Sequence, residues 1–231
     1  GAEKDLSRIV DRITREVIAS EDVMQNLISI RTHDGYTYFH SVNVAVLGGI
    51  LGAKLGLNEE ELHDLITAGF LHDVGKVFIS VDIINAPRKL TPDERAKMMD
   101  HPRMGYDFLR ENYHFNENIL QGVYQHHEWY NGGGYPRRLE GHGISFIARI
   151  LKVADVYDAM TGKRSYHDPY LPSDVLEYIM GRNAMEFDPI VVQLMSQELC
   201  VYPVGCEVEL SNGQRAIVLA NRRGSIMRRR I

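Results

Sequence analysis

Residues 58–76 read NEEELHDLITAGFLHDVGK. Asn58 offers a helix N-cap, and Glu61 three residues later completes a capping-box pattern. Leu62, Leu65, Ile66, Gly69 and Phe70 then recur at helical spacing, so the segment reads as a helix with one buried face. Polar residues come next: His72, Asp73 and Lys76. An imidazole and a carboxylate set against a buried helix need partners, because burying such groups unpaired is costly. If the helix continues, His72 and Asp73 point about 100° apart and Lys76 returns to the face of His72.

The neighbouring segments extend the helical pattern. Upstream, VNVAVLGGILGAKLGL (42–57) is strongly apolar but contains Asn43 and Lys54. It falls short of the roughly 20 apolar residues a membrane span requires, so it reads as a buried helix whose glycines permit close packing and which ends near Gly56. Further upstream, Leu6, Ile9, Val10, Ile13 and Val17 form an amphipathic stripe within residues 1–30, read as a linker, a dimer seam or part of the bundle. Downstream, Thr91, Pro92 and Glu94 mark a helix start, and Asp188-Pro189 opens another helix running to about Leu199. After Tyr202-Pro203 the pattern alternates on both sides of Asn212-Gly213, predicting a small β-hairpin appendage over 201–231.

Bulk composition narrows the function classes. The 231 residues are 44% hydrophobic and 25% charged, with a net charge of −5. That balance argues against a general binder of polymeric nucleic acid, whose domain is usually basic. A small anionic substrate in a local positive pocket stays open. Cys200 and Cys206 are too few for a disulfide scaffold and read as free thiols, so a cytoplasmic setting is expected. No signal peptide is visible, and the opening Gly1-Ala2 reads as a cloning remnant, so the chain is expected to be part of something longer.

Ten histidines are present, several beside apolar helical runs: His40, His72, His101, His126 and His127. Asp73 and Asp155 share that setting. Singly, a histidine at a helix end is more often a satisfied polar group than a ligand. Together, imidazole and carboxylate without thiolate suit iron, zinc or manganese. The stretch HHEWYNGGGYP (126–136) adds a histidine pair directly before a glycine-rich loop.

FLHDVGK (70–76) together with HHE (126–128) and GGGYP (132–136) resembles the HD-GYP domain of the HD phosphohydrolase superfamily. YTYFHS (36–41), TPDE (91–94), His101-Pro102 and ADVYDAMT (154–161) fall in the same order, and the resemblance covers roughly residues 20–200. It implies an all-α bundle around a metal centre that hydrolyses cyclic di-GMP to pGpG and on to GMP. By motif position the implied metal ligands are His40, His72, Asp73, His101, His126, His127 and Asp155, with Asp73 bridging two ions. Lys76 and Arg164 are the implied phosphate contacts, Asp73 and Lys76 the catalytic pair, and Tyr135 a shaper of the pocket. The implied cofactors are two divalent ions, iron or manganese. Tyr36 stands where members with three metals carry a glutamate ligand, so a third ion is not expected. His167 stands where the family carries another phosphate-contacting lysine, and Asn131 where it commonly has aspartate.

The same residues admit other readings. A related substrate such as cyclic GMP-AMP is one; a weakly active cyclic-dinucleotide sensor or interaction module is another. Expected partners are the cyclic dinucleotide, an upstream sensor domain, a signalling protein docked on the GYP loop, and a second copy in a homodimer. Asp158 is read as a candidate acid for the leaving oxygen, and Glu128 as support for a histidine.

Overall fold

A computed structural model describes residues 2–19, 36–162, 169–198, 207–209 and 212–217. Arg164, His167, Cys200, Cys206 and the side chain of Tyr36 lie outside the described residues.

Helix α1 (Ala2–Ala19) packs against α2 (Tyr36–Lys54) and α3 (Glu59–Leu71). Its buried face is not quite the one expected. Val10, Thr14 and Val17 are buried, whereas Ile9 is 51% exposed. Positions 10, 14 and 17 share one helical face, and the Thr14 hydroxyl satisfies itself by donating to the Val10 carbonyl at 2.9 Å. Val10 clusters with Ala45 of α2 and Ile66 of α3, so this face is covered within the chain.

The α2–α3 corner is built from local chemistry. Gly56 has φ +84°. Leu57 N donates to Gly52 O at 3.0 Å and Gly56 N to Ala53 O at 3.1 Å, the pair of bonds that closes a helix in a Schellman motif. One residue later the next helix begins. Asn58 Oδ1 accepts from Glu61 N at 3.0 Å, and Glu61 Oε2 accepts from Asn58 N at 2.9 Å. The two helices then cross closely, since a Cβ at Gly69 would lie 2.7 Å from Ala45 Cα.

After α3 come a 3₁₀ turn (Val74–Phe78), α4 (Val81–Ile84), α5 (Pro92–Met98), α6 (His101–Asn112) and α7 (Glu117–Gln125). Thr91 caps α5 with Glu94 as its reciprocal partner. Helix α8 (Phe146–Thr161) packs against α2, α3 and α7, and α9 (Pro172–Gly181) and α10 (Pro189–Glu198) lie against α8. Ile147, Ala148, Ile150, Leu151, Val153, Ala154 and Tyr157 of α8 are all buried, as befits a helix apolar around most of its circumference. Each of the larger aliphatic side chains contributes about 1.5–3 kcal/mol. Asp155 and Asp158 are buried on this same helix, which places acidic groups at the centre of the bundle.

Strands β1 (Glu207–Glu209) and β2 (Arg215–Ile217) pair antiparallel, Glu209 opposite Arg215. Asn212 Oδ1 accepts from Gln214 N at 3.0 Å in the turn, and Gly213 takes φ +79°. This is the expected hairpin, described over three residues a side. Among the described residues no helix is long and apolar enough to cross a membrane.

Candidate metal centre

Three helix ends and two helix interiors deliver the polar side chains to one place. His72 stands just past the end of α3, His126 just past the end of α7, and His101 opens α6. His40 comes from α2 and Asp155 from α8. Together with Asp73 and His127 they form two groups. One is Asp73, His101, His126 and His127; the other is His40, His72 and Asp155. Within each group the ligand atoms lie within 4.8 Å of one another. All seven side chains singled out from the sequence are thus brought together.

The ring orientations are set by backbone hydrogen bonding. The Nδ1 atoms of His72, His101 and His126 lie 2.7 Å from the carbonyls of Gly69, Met98 and Val123 respectively. A carbonyl only accepts, so each Nδ1 carries the proton, and in the neutral ring the Nε2 lone pair faces the cluster. His40 is oriented differently: its Nδ1 lies 2.8 Å from Asp158 Oδ2, while its Nε2 lies 3.2 Å from Asp155 Oδ1. Asp158 Oδ1 in turn accepts from Asn43 Nδ2 at 3.0 Å. Asp158 is therefore buried behind His40, holding the ring. The reading of Asp158 as an acid for the leaving group is corrected: its oxygens are taken up on the far side of the histidine.

Asp73 spans the two groups. Its Oδ1 lies 3.3 Å from His101 Nε2, and its Oδ2 lies 3.4 Å from His72 Nε2 and 3.8 Å from His40 Nε2. Lys76 reaches the same carboxylate, with Nζ 2.6 Å from Oδ2 and 37% of its side chain exposed. It does so from the 3₁₀ turn, because α3 has already ended at Leu71. The expected continuation of the helix through Lys76 is thus corrected. Gly75 explains the tight turn: a Cβ there would lie 1.9 Å from the His101 carbonyl oxygen.

The donor set fits divalent cations. His72 Nε2 and Asp73 Oδ1 are buried without a hydrogen-bond partner. The His101 and His126 Nε2 atoms face each other at 3.3 Å. Inward lone pairs and carboxylate charge in a buried space are expensive unless a cation takes them up. The electrostatics divide the set: against the effect of burial, the Asp73 and Asp155 carboxylates raise the pKa of His72 as well as that of His40. Burial and the neighbouring imidazoles hold His126 far below the ordinary histidine value; burial does the same for His127. Burial opposes an imidazolium at His40, yet hydrogen bonds to Asp155 and Asp158 carry its pKa up to about 9. Burial works against ionised Asp73 and Asp155 too, but the surrounding histidines hold both well below the usual carboxylate range.

The glycine-rich loop lies against this cluster. Tyr135 stacks on His127 with ring centroids 4.8 Å apart and planes 22° from parallel. The expected support of a histidine by Glu128 is not a direct hydrogen bond: its carboxylate accepts from Arg137 N at 2.6 Å and Leu139 N at 3.0 Å. Those partners lie nine and eleven residues ahead, across a loop, where no local pattern reveals them.

The HD domain family pattern matches residues 22–191. The chain belongs to the HD domain family. This HD domain is 33% identical over 225 residues to a Pseudomonas aeruginosa protein named cyclic di-GMP phosphodiesterase, covering 97% of this chain and 54% of the relative. It is 34% identical over 178 residues to a Vibrio cholerae protein named 3′3′-cGAMP-specific phosphodiesterase, covering 76% of this chain and 34% of the relative. The chain spans about half the length of the first of these relatives and a third of the second. Among solved structures, an HDG"Y"P protein of Bdellovibrio bacteriovorus shares the fold, with a TM-score of 0.68 at 18% identity over 82% of this chain and 60% of that one. The all-α, HD-type architecture expected from the sequence is the one found.

Proposed function

We propose that this HD domain is the catalytic module of a cyclic dinucleotide phosphodiesterase, with cyclic di-GMP as substrate, working in the cytoplasm. The observation that carries the reading is Asp73, whose two oxygens face two adjoining His/Asp groups. His101, His126 and His127 would hold one divalent ion, His40, His72 and Asp155 a second, and Asp73 both. Iron and manganese suit this thiolate-free set. Two such ions, when bound, supply an activated water and neutralise charge on a phosphodiester.

The chain's own groups do the rest. Asp158 holds the Nδ1 proton of His40 and so fixes the direction of Nε2. Lys76, part-exposed and paired with Asp73, would donate to a phosphate oxygen. Arg164 is assigned a second phosphate contact by the family resemblance. Tyr135, stacked on His127, would shape the pocket beside that ligand. An upstream sensor domain belongs to the same proposal, since the relatives are longer than this chain.

Cyclic di-GMP is favoured because the relative bearing that name aligns over 97% of this chain. Cyclic GMP-AMP is the second reading, favoured by the 34% identical relative. The test is anaerobic turnover of both dinucleotides with Fe(II) and with Mn(II), monitoring pGpG and GMP. Product from cyclic di-GMP at the higher kcat/KM supports the proposal. Tight binding without product under either metal refutes it in favour of a sensor.

A further inference from the structure

The buried carboxylate of Glu128 is absorbed by neither metal nor substrate. It is 2% exposed, and it comes directly after His126 and His127. Its two oxygens accept from Arg137 N and Leu139 N, on the returning limb of the loop. Between these anchor points the chain doubles back on itself. Gly134 crosses so near the outgoing limb that a Cβ would lie 2.2 Å from Trp129 N and 2.5 Å from the His127 carbonyl oxygen. Immediately afterwards Tyr135 N donates to that carbonyl at 3.3 Å, and the tyrosine ring lands on the His127 ring. The loop is also fixed from outside. Tyr130 N donates to Glu186 O at 3.2 Å and Asn131 N to Met185 O at 2.9 Å. The Glu186 carboxylate meanwhile holds Lys152 of α8 at 2.9 Å, one turn before Asp155.

We propose that Glu128 is a positioning residue that clamps the two limbs of the glycine loop and thereby presses Tyr135 onto His127, setting the orientation of His127 as a ligand. The inference rests on His127 binding metal, not on any particular substrate. A carboxylate is needed because both oxygens must accept. A glutamine offers one oxygen and one NH₂, and the NH₂ would face a backbone N–H that also donates.

The probe is Co(II) added to the metal-free full chain, read by the affinity of the site and by the visible absorption that reports ligand geometry. Glu128→Gln and Tyr135→Ala should each weaken Co(II) binding by about 10-fold or more, the usual effect of losing an outer support of a ligand. Each should also shift the absorption band. Glu128→Gln made on top of Tyr135→Ala should weaken binding no further, because the clamp acts through the ring. A merely structural Glu128 would lower thermal stability and leave the band unmoved, which overturns the proposal. So does an undiminished further loss in the double variant. If Glu128→Gln does not fold, Tyr135→Ala alone decides: wild-type Co(II) affinity and spectrum in that variant refute the proposal. Failure of the proposed function leaves this test intact, since no substrate enters it. Complete absence of Co(II) binding in the wild type overturns both.

Discussion

Replacing Gly75 by alanine should disable the centre without touching a ligand. The added Cβ would stand 1.9 Å from the His101 carbonyl oxygen, 2.6 Å from Gly105 N and 2.9 Å from His101 C. All three are backbone atoms of α6, so no side chain can swing aside. Ordinary contact begins near 3.4 Å, and the 3₁₀ turn and the start of α6 must separate by about 1.5 Å to reach it. Asp73 rides on the turn and His101 on the helix, and their facing atoms are 3.3 Å apart. The same separation therefore pulls Asp73 Oδ1 away from its group. Overpacking of this kind costs about 1–3 kcal/mol, which for a chain of this size lowers Tm by roughly 2–12 °C. Differential scanning fluorimetry and metal analysis read the two effects together. Gly181→Ala is the control: nothing lies within 4 Å of its added Cβ, and removing a glycine at the end of a helix should be neutral or stabilising by up to about 1 kcal/mol. A Gly75→Ala protein with unchanged Tm and wild-type metal content refutes the steric argument.

Three further outcomes are expected. Asp158→Asn leaves one oxygen to serve both His40 and Asn43, and should weaken metal binding by about 10–100-fold while Tm changes little, measured by metal titration. Mn(II) added to chelator-treated protein at about 100 times its dissociation constant should stabilise by about 2.7 kcal/mol, seen as a rise in Tm that an alanine at Asp73 abolishes. At the α5 cap, Arg88 together with the Thr91 backbone pulls the Glu94 carboxyl down to about 2. Its folded-state value lies below its unfolded one, so the stability it contributes is complete above 4.5 and is lost as pH falls towards 2. The drop in Tm over that acid range should be shallower in Glu94→Gln.

Legibility in the sequence divides along distance. Both capping boxes and the end of α2 are legible because Asn58, Thr91 and Gly56 act on neighbours within a few residues. The seven candidate ligands are legible as a set through the family resemblance, and separately only as polar residues beside apolar helices. Asp158 misleads because an i, i+3 spacing from Asp155 says that both share a face but not that His40 lies between them. The helix reads as continuing through Lys76 because His72-Asp73-Val74 carries no strong stop; the break comes from the approach of α6, a tertiary contact at Gly75. Ile9 reads as part of the buried stripe because hydrophobicity alone does not choose between adjacent faces, and α2 and α3 cover the face of Val10 instead.

His72, His101 and His126 each lean on a carbonyl from the last turn of the helix that precedes them, α3, α5 and α7. Those carbonyls are left over by the helices and carry partial negative charge whatever the side chains around them. The tautomer of each ring is therefore inherited from the backbone rather than from a neighbouring residue. Substitutions elsewhere around the centre can then change its surroundings while the three imidazoles keep their aim. The aim of these three rings and the side chains around them can drift independently, as two traits written in different parts of the same scaffold.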